Sequence, residues 1–159
     1  GGVQPLRSKY FLPDQPGNWE ATWFERGDPM FPAFHAGPVS FGLNICTELW
    51  ALETYAAYAA LGVGVLLLPR ATSSATARTW LAGGVVAAVR SGAFSVSSNR
   101  VDATGPCSGQ GWIIDPGGEI LATTSAAEPF ATRDLELRQA GEAKETYPRY
   151  VFFESYADC

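Results

Sequence analysis

The sequence predicts an α/β domain, and three observations carry that prediction. Apolar runs of strand length alternate with Ala-, Leu- and Glu-rich stretches of helix length between residues 39 and 98. Their order is strand, helix, strand, helix, strand, which implies parallel or mixed pairing with helices covering a sheet. A hairpin signature then follows, Trp112-Ile113-Ile114 and Ile120-Leu121-Ala122-Thr123 around the turn-forming Asp115-Pro116-Gly117-Gly118.

Taken in order, residues 1–38 are rich in Pro, Gly and aromatics and read as ordered loop with short strand pieces. Residues 39–45 mix β-branched and aromatic side chains over a strand's length. Residues 49–60 favour helix and stop before Gly62, a residue suited to ending one. A strand at 63–68 leads into the Pro69–Ser74 loop, a helix at 76–90 and a strand at 94–98. Gly83-Gly84 weakens that second helix by about 1 kcal/mol per Gly relative to Ala, which points to close packing there. Residues 130–137 read as a further strand, Arg138 to Glu145 as a polar helix, and Tyr147-Pro148-Arg149-Tyr150 as an extended tail.

The bulk properties exclude several function classes. A pI near 4.8 with 11 Lys plus Arg argues against a nucleic-acid partner. No apolar stretch approaches the ~18 residues of a membrane span, and no secretory leader is recognisable, so a cytoplasmic setting is expected. Three well-separated cysteines, Cys46, Cys107 and Cys159, make neither a disulfide framework nor a zinc site, and neither metal nor cofactor is expected. Gly1-Gly2 stands in place of an initiator Met, so the chain is expected to be part of a longer product.

Cys46 carries most of the chemical information. It follows the apolar strand and precedes a helical run, where the free N–H groups of a first turn can stabilise a thiolate or an oxyanion. A buried, inert thiol is the competing reading. A thiolate needs a charge partner or base. The sole His, His35, sits in a Phe34-His35-Ala36-Gly37 loop and reads as a surface residue. Gly105-Pro106-Cys107-Ser108-Gly109 has the form of a nucleophile elbow but lacks the flanking strand and helix, so it reads as a turn. Lys9, within Arg7-Ser8-Lys9-Tyr10-Phe11-Leu12, could hold a thiolate and later a tetrahedral oxygen, or simply snorkel at the surface. Glu20, among the aromatics of Asn18-Trp19-Glu20-Ala21-Thr22-Trp23-Phe24, could orient a neighbour or lie exposed. Trp50 and the Arg70 loop could line a pocket or serve packing and surface charge.

Taken together these segments resemble the carbon–nitrogen hydrolase (nitrilase) superfamily. Arg7 to Leu12 is similar to the segment bearing its catalytic Lys, and Trp19-Glu20 through Gly27-Asp28 to the segment with its supporting Glu. Gly42 to Glu53 is similar to the nucleophile segment, and Gly109 to Glu119 to the late hairpin; Asn99-Arg100 also fits. The resemblance covers about residues 5–138. It implies an α-β-β-α sandwich, incomplete at the N-terminus, with residues 1–159 as the C-terminal portion of one domain and 139–159 as a tail. It implies hydrolysis of a small amide or nitrile by Cys46 through a thioester or thioimidate. Lys9 and the Thr47 backbone N–H would hold developing charge, Glu20 would orient Lys9 or water, and Thr47 and Trp50 would meet the substrate.

Two departures accompany the match. The general-base Glu of the family lies in an N-terminal half outside these 159 residues, and neither Glu20 nor Glu48 takes its place. Thr47-Glu48 also follows Cys46 where many members carry an aromatic and an acidic residue, which leaves nitrile, amide and carbamoyl substrates open. A half sandwich would expose an apolar sheet face and favour self-association into homo-oligomers; by resemblance, Tyr147 to Phe153 would be an interface segment. The alternative functions are a non-catalytic interaction module that keeps the fold and, less favoured, an esterase or acyltransferase using the same thiol.

Overall fold

A computed structural model describes residues 6–102 and 104–153. A two-stranded ribbon, β1 (Asp14–Gln15) and β2 (Asn18–Trp19), leads into the single turn of α1 (Glu20–Trp23). The main sheet has six strands in sequence order: β3 (Phe34–Ala36), β4 (Val39–Leu43), β5 (Val65–Leu67), β6 (Phe94–Ser97), β7 (Trp112–Ile114) and β8 (Ile120–Thr123). The three central strands β4, β5 and β6 run parallel, and antiparallel neighbours flank them on both sides. The crossovers are α2 (Glu53–Ala60) and α3 (Ala77–Ser91), so the α/β expectation holds.

Alternation along the strands divides the sheet into two faces. Leu66, Trp112 and Ile114 point to the helical layer, where they meet Tyr55 and Tyr58 of α2 and Ala87 and Ala88 of α3. Close approach explains the glycines here. A Cβ on Gly84 would come within 2.5 Å of the Trp112 ring, and one on Gly42 within 2.8 Å of Tyr58.

Val65, Phe94, Val96 and Leu121 point to the opposite face. That face is not bare, as a half sandwich would leave it. Leu135, Leu137 and Ala140, the last on α4 (Arg138–Lys144), pack across part of it. Beyond them an apolar groove of about 450 Å³ remains, lined by Leu67, Val96, Ile113 and Phe130, with Phe130 91% exposed. Among the described residues the six-stranded sheet thus carries α2 and α3 on one face and α4 across part of the other.

Three local expectations need correction. Residues 130–137 form no strand: Arg133 Nε donates to Leu121 O of the edge strand β8 at 3.1 Å, and the backbone crosses the sheet face instead of pairing with it. The helix read over 49–60 breaks in two, a 3-10 turn over Cys46–Trp50 and then α2. Side chains take the carbonyls at the break: Asn44 Nδ2 donates to Glu48 O at 2.9 Å, Tyr55 Oη to Leu49 O at 2.5 Å and Thr54 Oγ1 to Ala51 O at 2.7 Å. The segment after α4 is no extended tail. Its backbone folds back through helix α5 (Tyr150–Phe153), and buried Arg149 donates to Val89 O and Pro116 O. Among the described residues no helix is long and apolar enough to cross a membrane.

Candidate active site

Parallel strands put their carboxyl ends on one edge of the sheet, the usual place for a site in an open α/β fold. Here β4, β5 and β6 deliver Cys46, the Pro69-Arg70 segment and Asn99 to that edge. The Cys46 N–H donates to Pro69 O at 2.9 Å, and Arg70 pairs with Asn99 in a parallel bridge. Asn99 fixes the loop between them, accepting from Thr72 N–H at 2.9 Å and donating to Thr72 O at 3.1 Å.

Cys46 is the one non-glycine among the described residues with a positive φ, at 53°. That left-handed conformation costs a side-chain-bearing residue about 1–2 kcal/mol, and strain of this kind concentrates at functional sites. The turn aims the thiol into a cleft of about 910 Å³ lined by Lys9, Glu20, Thr47, Trp50 and Arg70. All five sequence-derived candidates, Cys46, Lys9, Glu20, Thr47 and Trp50, therefore share one cleft.

Lys9 and Glu20 come together although eleven residues separate them. Lys9 Nζ lies 2.6 Å from Glu20 Oε2 and 3.5 Å from Thr47 Oγ1, with only 10% of the Lys9 side chain exposed. Glu20 opens α1, and the β1–β2 ribbon before it turns the chain back toward Lys9. Trp50 is 42% exposed, and its ring stands 5.4 Å from that of Trp80, another residue of the cleft wall.

Arg70 is buried at 7% exposure, and each nitrogen of its guanidinium is engaged within the protein. Nε donates to Ser97 Oγ at 2.9 Å, and the two terminal nitrogens donate to Thr72 Oγ1 and Gln110 O. The group also stacks 4.2 Å over the Trp112 ring. Burial lowers its pKa to about 10, so it remains a cation at neutral pH.

Glu48, in the turn that begins at Cys46, has a setting that the chain's local pattern did not reveal. It is fully buried and holds Arg7 in a two-pronged ion pair of 2.6 and 3.0 Å. Burial pushes its pKa up, but hydrogen bonds from Arg7 and from the Ile45 and Tyr10 amides outweigh that, and the net direction is downward. The Arg7 guanidinium lies 4.2 Å over the Phe31 ring.

The remaining candidates lie elsewhere. His35 is exposed on β3 opposite Ser40, toward the far end of β4, as a surface residue should be. Cys107 sits in a loop bridged to Ser73 and is followed by a strand rather than a helix, consistent with a turn. Cys46 and Cys107 are free thiols, whereas Cys159 lies outside the described residues.

The fold and this edge define an α/β protein with its candidate site where parallel strands end. Comparison with known proteins narrows the class. The chain belongs to the carbon–nitrogen hydrolase family, which matches residues 4–145. Over 69 residues it is 36% identical to an N-carbamoylputrescine amidase of Solanum tuberosum, an alignment covering 43% of this chain and 23% of that protein. A carbon–nitrogen hydrolase from Helicobacter pylori G27 shares the fold at a TM-score of 0.81 and 23% identity, over 90% of this chain and 56% of that one. Nit3 of Saccharomyces cerevisiae, of the nitrilase superfamily, gives 0.72 at 18% identity, over 82% and 49%. The chain thus spans about half the length of those two structures.

Proposed function

We propose that this chain carries the nucleophile side of an amidase-type active site, in which Cys46 cleaves the carbon–nitrogen bond of a small amide or N-carbamoyl compound. The observation that carries this reading is the left-handed Cys46 turn at the carboxyl ends of three parallel strands, opening into the cleft that holds the Lys9–Glu20 pair.

In the proposed reaction the Cys46 thiolate attacks the carbonyl carbon. The C–S bond forms as the carbonyl π pair moves onto oxygen, which the Lys9 ammonium and the Thr47 N–H hold. The C–N bond then breaks, and the nitrogen takes up a proton and leaves as ammonia or an amine. Water adds to the thioester, the C–S bond breaks, and the sulfur recovers its proton. Glu20 keeps Lys9 aligned. The resemblance assigns the base for the thiol proton to a glutamate outside these 159 residues, so the proposal concerns the whole protein to which they belong.

Charge in the cleft supports a neutral or cationic substrate. Lys9 has its charge offset by Glu20 and its remaining donors assigned to the carbonyl oxygen, and the Arg70 nitrogens are engaged inside the protein, so neither is assigned to a substrate carboxylate. Asp14, an exposed lining residue, accepts from the Thr22 hydroxyl at 2.8 Å and leaves a carboxylate on the wall of the cleft that the Trp50–Trp80 pair also lines. The name of the N-carbamoylputrescine amidases agrees with an N-carbamoyl group on a cationic chain.

The test is ammonia release by the full-length protein from three length-matched ureas: (4-aminobutyl)urea, butylurea and 4-ureidobutanoate. Turnover of the first two above the third is expected. Cys46→Ala should abolish it, and Lys9→Met should lower kcat by about 100- to 1000-fold. Ammonia release that survives Cys46→Ala would refute the assignment.

A further inference from the structure

Lys9 stands on a segment without regular structure, residues 6–13, so no helix or strand places its ammonium. Beyond the Lys9–Glu20 pair itself, Gly27 N–H donates to Lys9 O at 2.9 Å. Lys9 Nζ also reaches Thr47 Oγ1 at 3.5 Å, Arg7 Nη1 donates to Leu43 O at 3.2 Å, Arg26 Nη1 to Tyr10 O at 3.3 Å and Ala21 N–H to Pro13 O at 3.0 Å. No other residue takes as many of the segment's hydrogen bonds as Glu48. Its Oε1 accepts from Arg7 Nη2 at 3.0 Å, Tyr10 N–H at 2.7 Å and Phe11 N–H at 3.4 Å. Its Oε2 accepts from Arg7 Nη1 at 2.6 Å and Ile45 N–H at 2.8 Å. Four of these five bonds come from residues on both sides of Lys9, and the fifth comes from the residue just before Cys46.

An ionised carboxylate offers about four acceptor sites on two oxygens, and only that form accepts at all of them. A buried ion pair is a poor source of net stability, because desolvating two charges costs about as much as their attraction returns. Packing alone therefore gives little reason for Glu48 to occupy a fully buried position. Geometry gives a better one: a rigid acceptor on the Cys46 turn sets the height and direction from which Lys9 enters the cleft.

We infer that Glu48 is a positioning residue, holding the Lys9 ammonium in register with the Cys46 thiol through the backbone on either side of Lys9 and without a hydrogen bond to either side chain. This rests on the reading of Cys46 and Lys9 as nucleophile and charge partner. The interaction is indirect, so its signature is energetic coupling between two residues that share no hydrogen bond.

The experiment follows iodoacetamide alkylation of the Cys46 peptide by mass spectrometry across pH, in the full-length protein and without any substrate. Lys9→Met is expected to slow alkylation at pH 7 by about fivefold, because it removes the cation that shares the cleft with the thiol. Glu48→Gln should slow it by a similar factor and add nothing in the Lys9→Met background. Arg7→Lys, which keeps the charge but loses the two-pronged contact, should shift the profile the same way and serves if Glu48→Gln does not fold. Tyr55→Phe loosens the same turn by freeing Leu49 O and should leave the alkylation profile in place. A profile moved by Lys9→Met but not by Glu48→Gln or Arg7→Lys would overturn the positioning role alone. Full additivity of Glu48→Gln with Lys9→Met, or an equal shift in Tyr55→Phe, would also overturn it. No shift in Lys9→Met would overturn both this role and the Lys9–Cys46 reading beneath it.

Discussion

Glu48 and Arg7 have consequences for stability as well as for placement. The folded-state pKa of Glu48 is lowered, the bonds from Arg7 and the amides outweighing the opposing burial. The sign follows from linkage: a carboxylate held below its unfolded value contributes stability above that value and loses it as pH falls through the folded one. Acid unfolding monitored by circular dichroism should therefore steepen below the usual carboxylate range of about 4.3. Glu48→Gln should be less stable at neutral pH and show a flatter acid limb. An acid limb identical in both proteins would remove Glu48 from the acid-sensitive set. Cys46 and Lys9 stood out from their own neighbourhoods, whereas Glu48 did not. Its partners Arg7, Tyr10 and Phe11 lie 41, 38 and 37 residues away, and no local pattern encodes such contacts.

At the scale of elements, the helices and strands between residues 39 and 98 were readable because burial imposes a period on them. Gly83-Gly84 in α3 is an example, since helix propensity argues against it and close packing explains it. The Gly84 backbone lies against the Trp112 ring, and a Cβ there would meet that ring at 2.5 Å. Gly84→Ala gains about 1 kcal/mol of helix propensity but overpacks a rigid indole, at a cost of about 1–3 kcal/mol. A net loss of up to about 2 kcal/mol in urea unfolding is expected, whereas a more stable variant would show that Trp112 can move aside. The break between the 3-10 turn and α2 was not readable. A composition rich in Leu, Ala and Glu favours continuous helix, and only the packed side chains of Asn44, Thr54 and Tyr55 divert the carbonyls.

For the molecule as a whole, Lys144 ties separate parts together. Its Nζ donates to Val63 O at 2.7 Å, Gly92 O at 2.9 Å and Ala140 O at 2.9 Å. It thereby joins α4 to the entrance of β5 and the end of α3. Burial, with Arg149 adding to it, lowers its pKa to about 8. Between that value and the unfolded value of about 10.4 the unfolded chain binds the proton more tightly, so this group makes stability rise with pH across the window. Lys144→Met should lower the unfolding midpoint at pH 7, since hydrogen bonds to charged groups contribute about 1.5–3 kcal/mol each at most. It should also abolish the rise between pH 8 and 10, which thermal scans across that range would read. A rise that persists in the variant would assign it to another group.

By itself the sequence determined the α/β class, the alternation of the central strands and helices, the closing hairpin and the resemblance that singled out Cys46, Lys9 and Glu20. These properties depend on periodicity, turn chemistry and short motifs, which act over a few residues. Tertiary structure alone decided that Lys9 meets Glu20 and Thr47 in the Cys46 cleft, that Glu48 is buried under Arg7, and that Arg70 turns inward onto Trp112. It also decided that residues 130–137 cover a sheet face rather than extend the sheet. In each case a charged or apolar side chain had several acceptable surroundings, and the choice among them fell to segments far away in the chain that folding brings alongside.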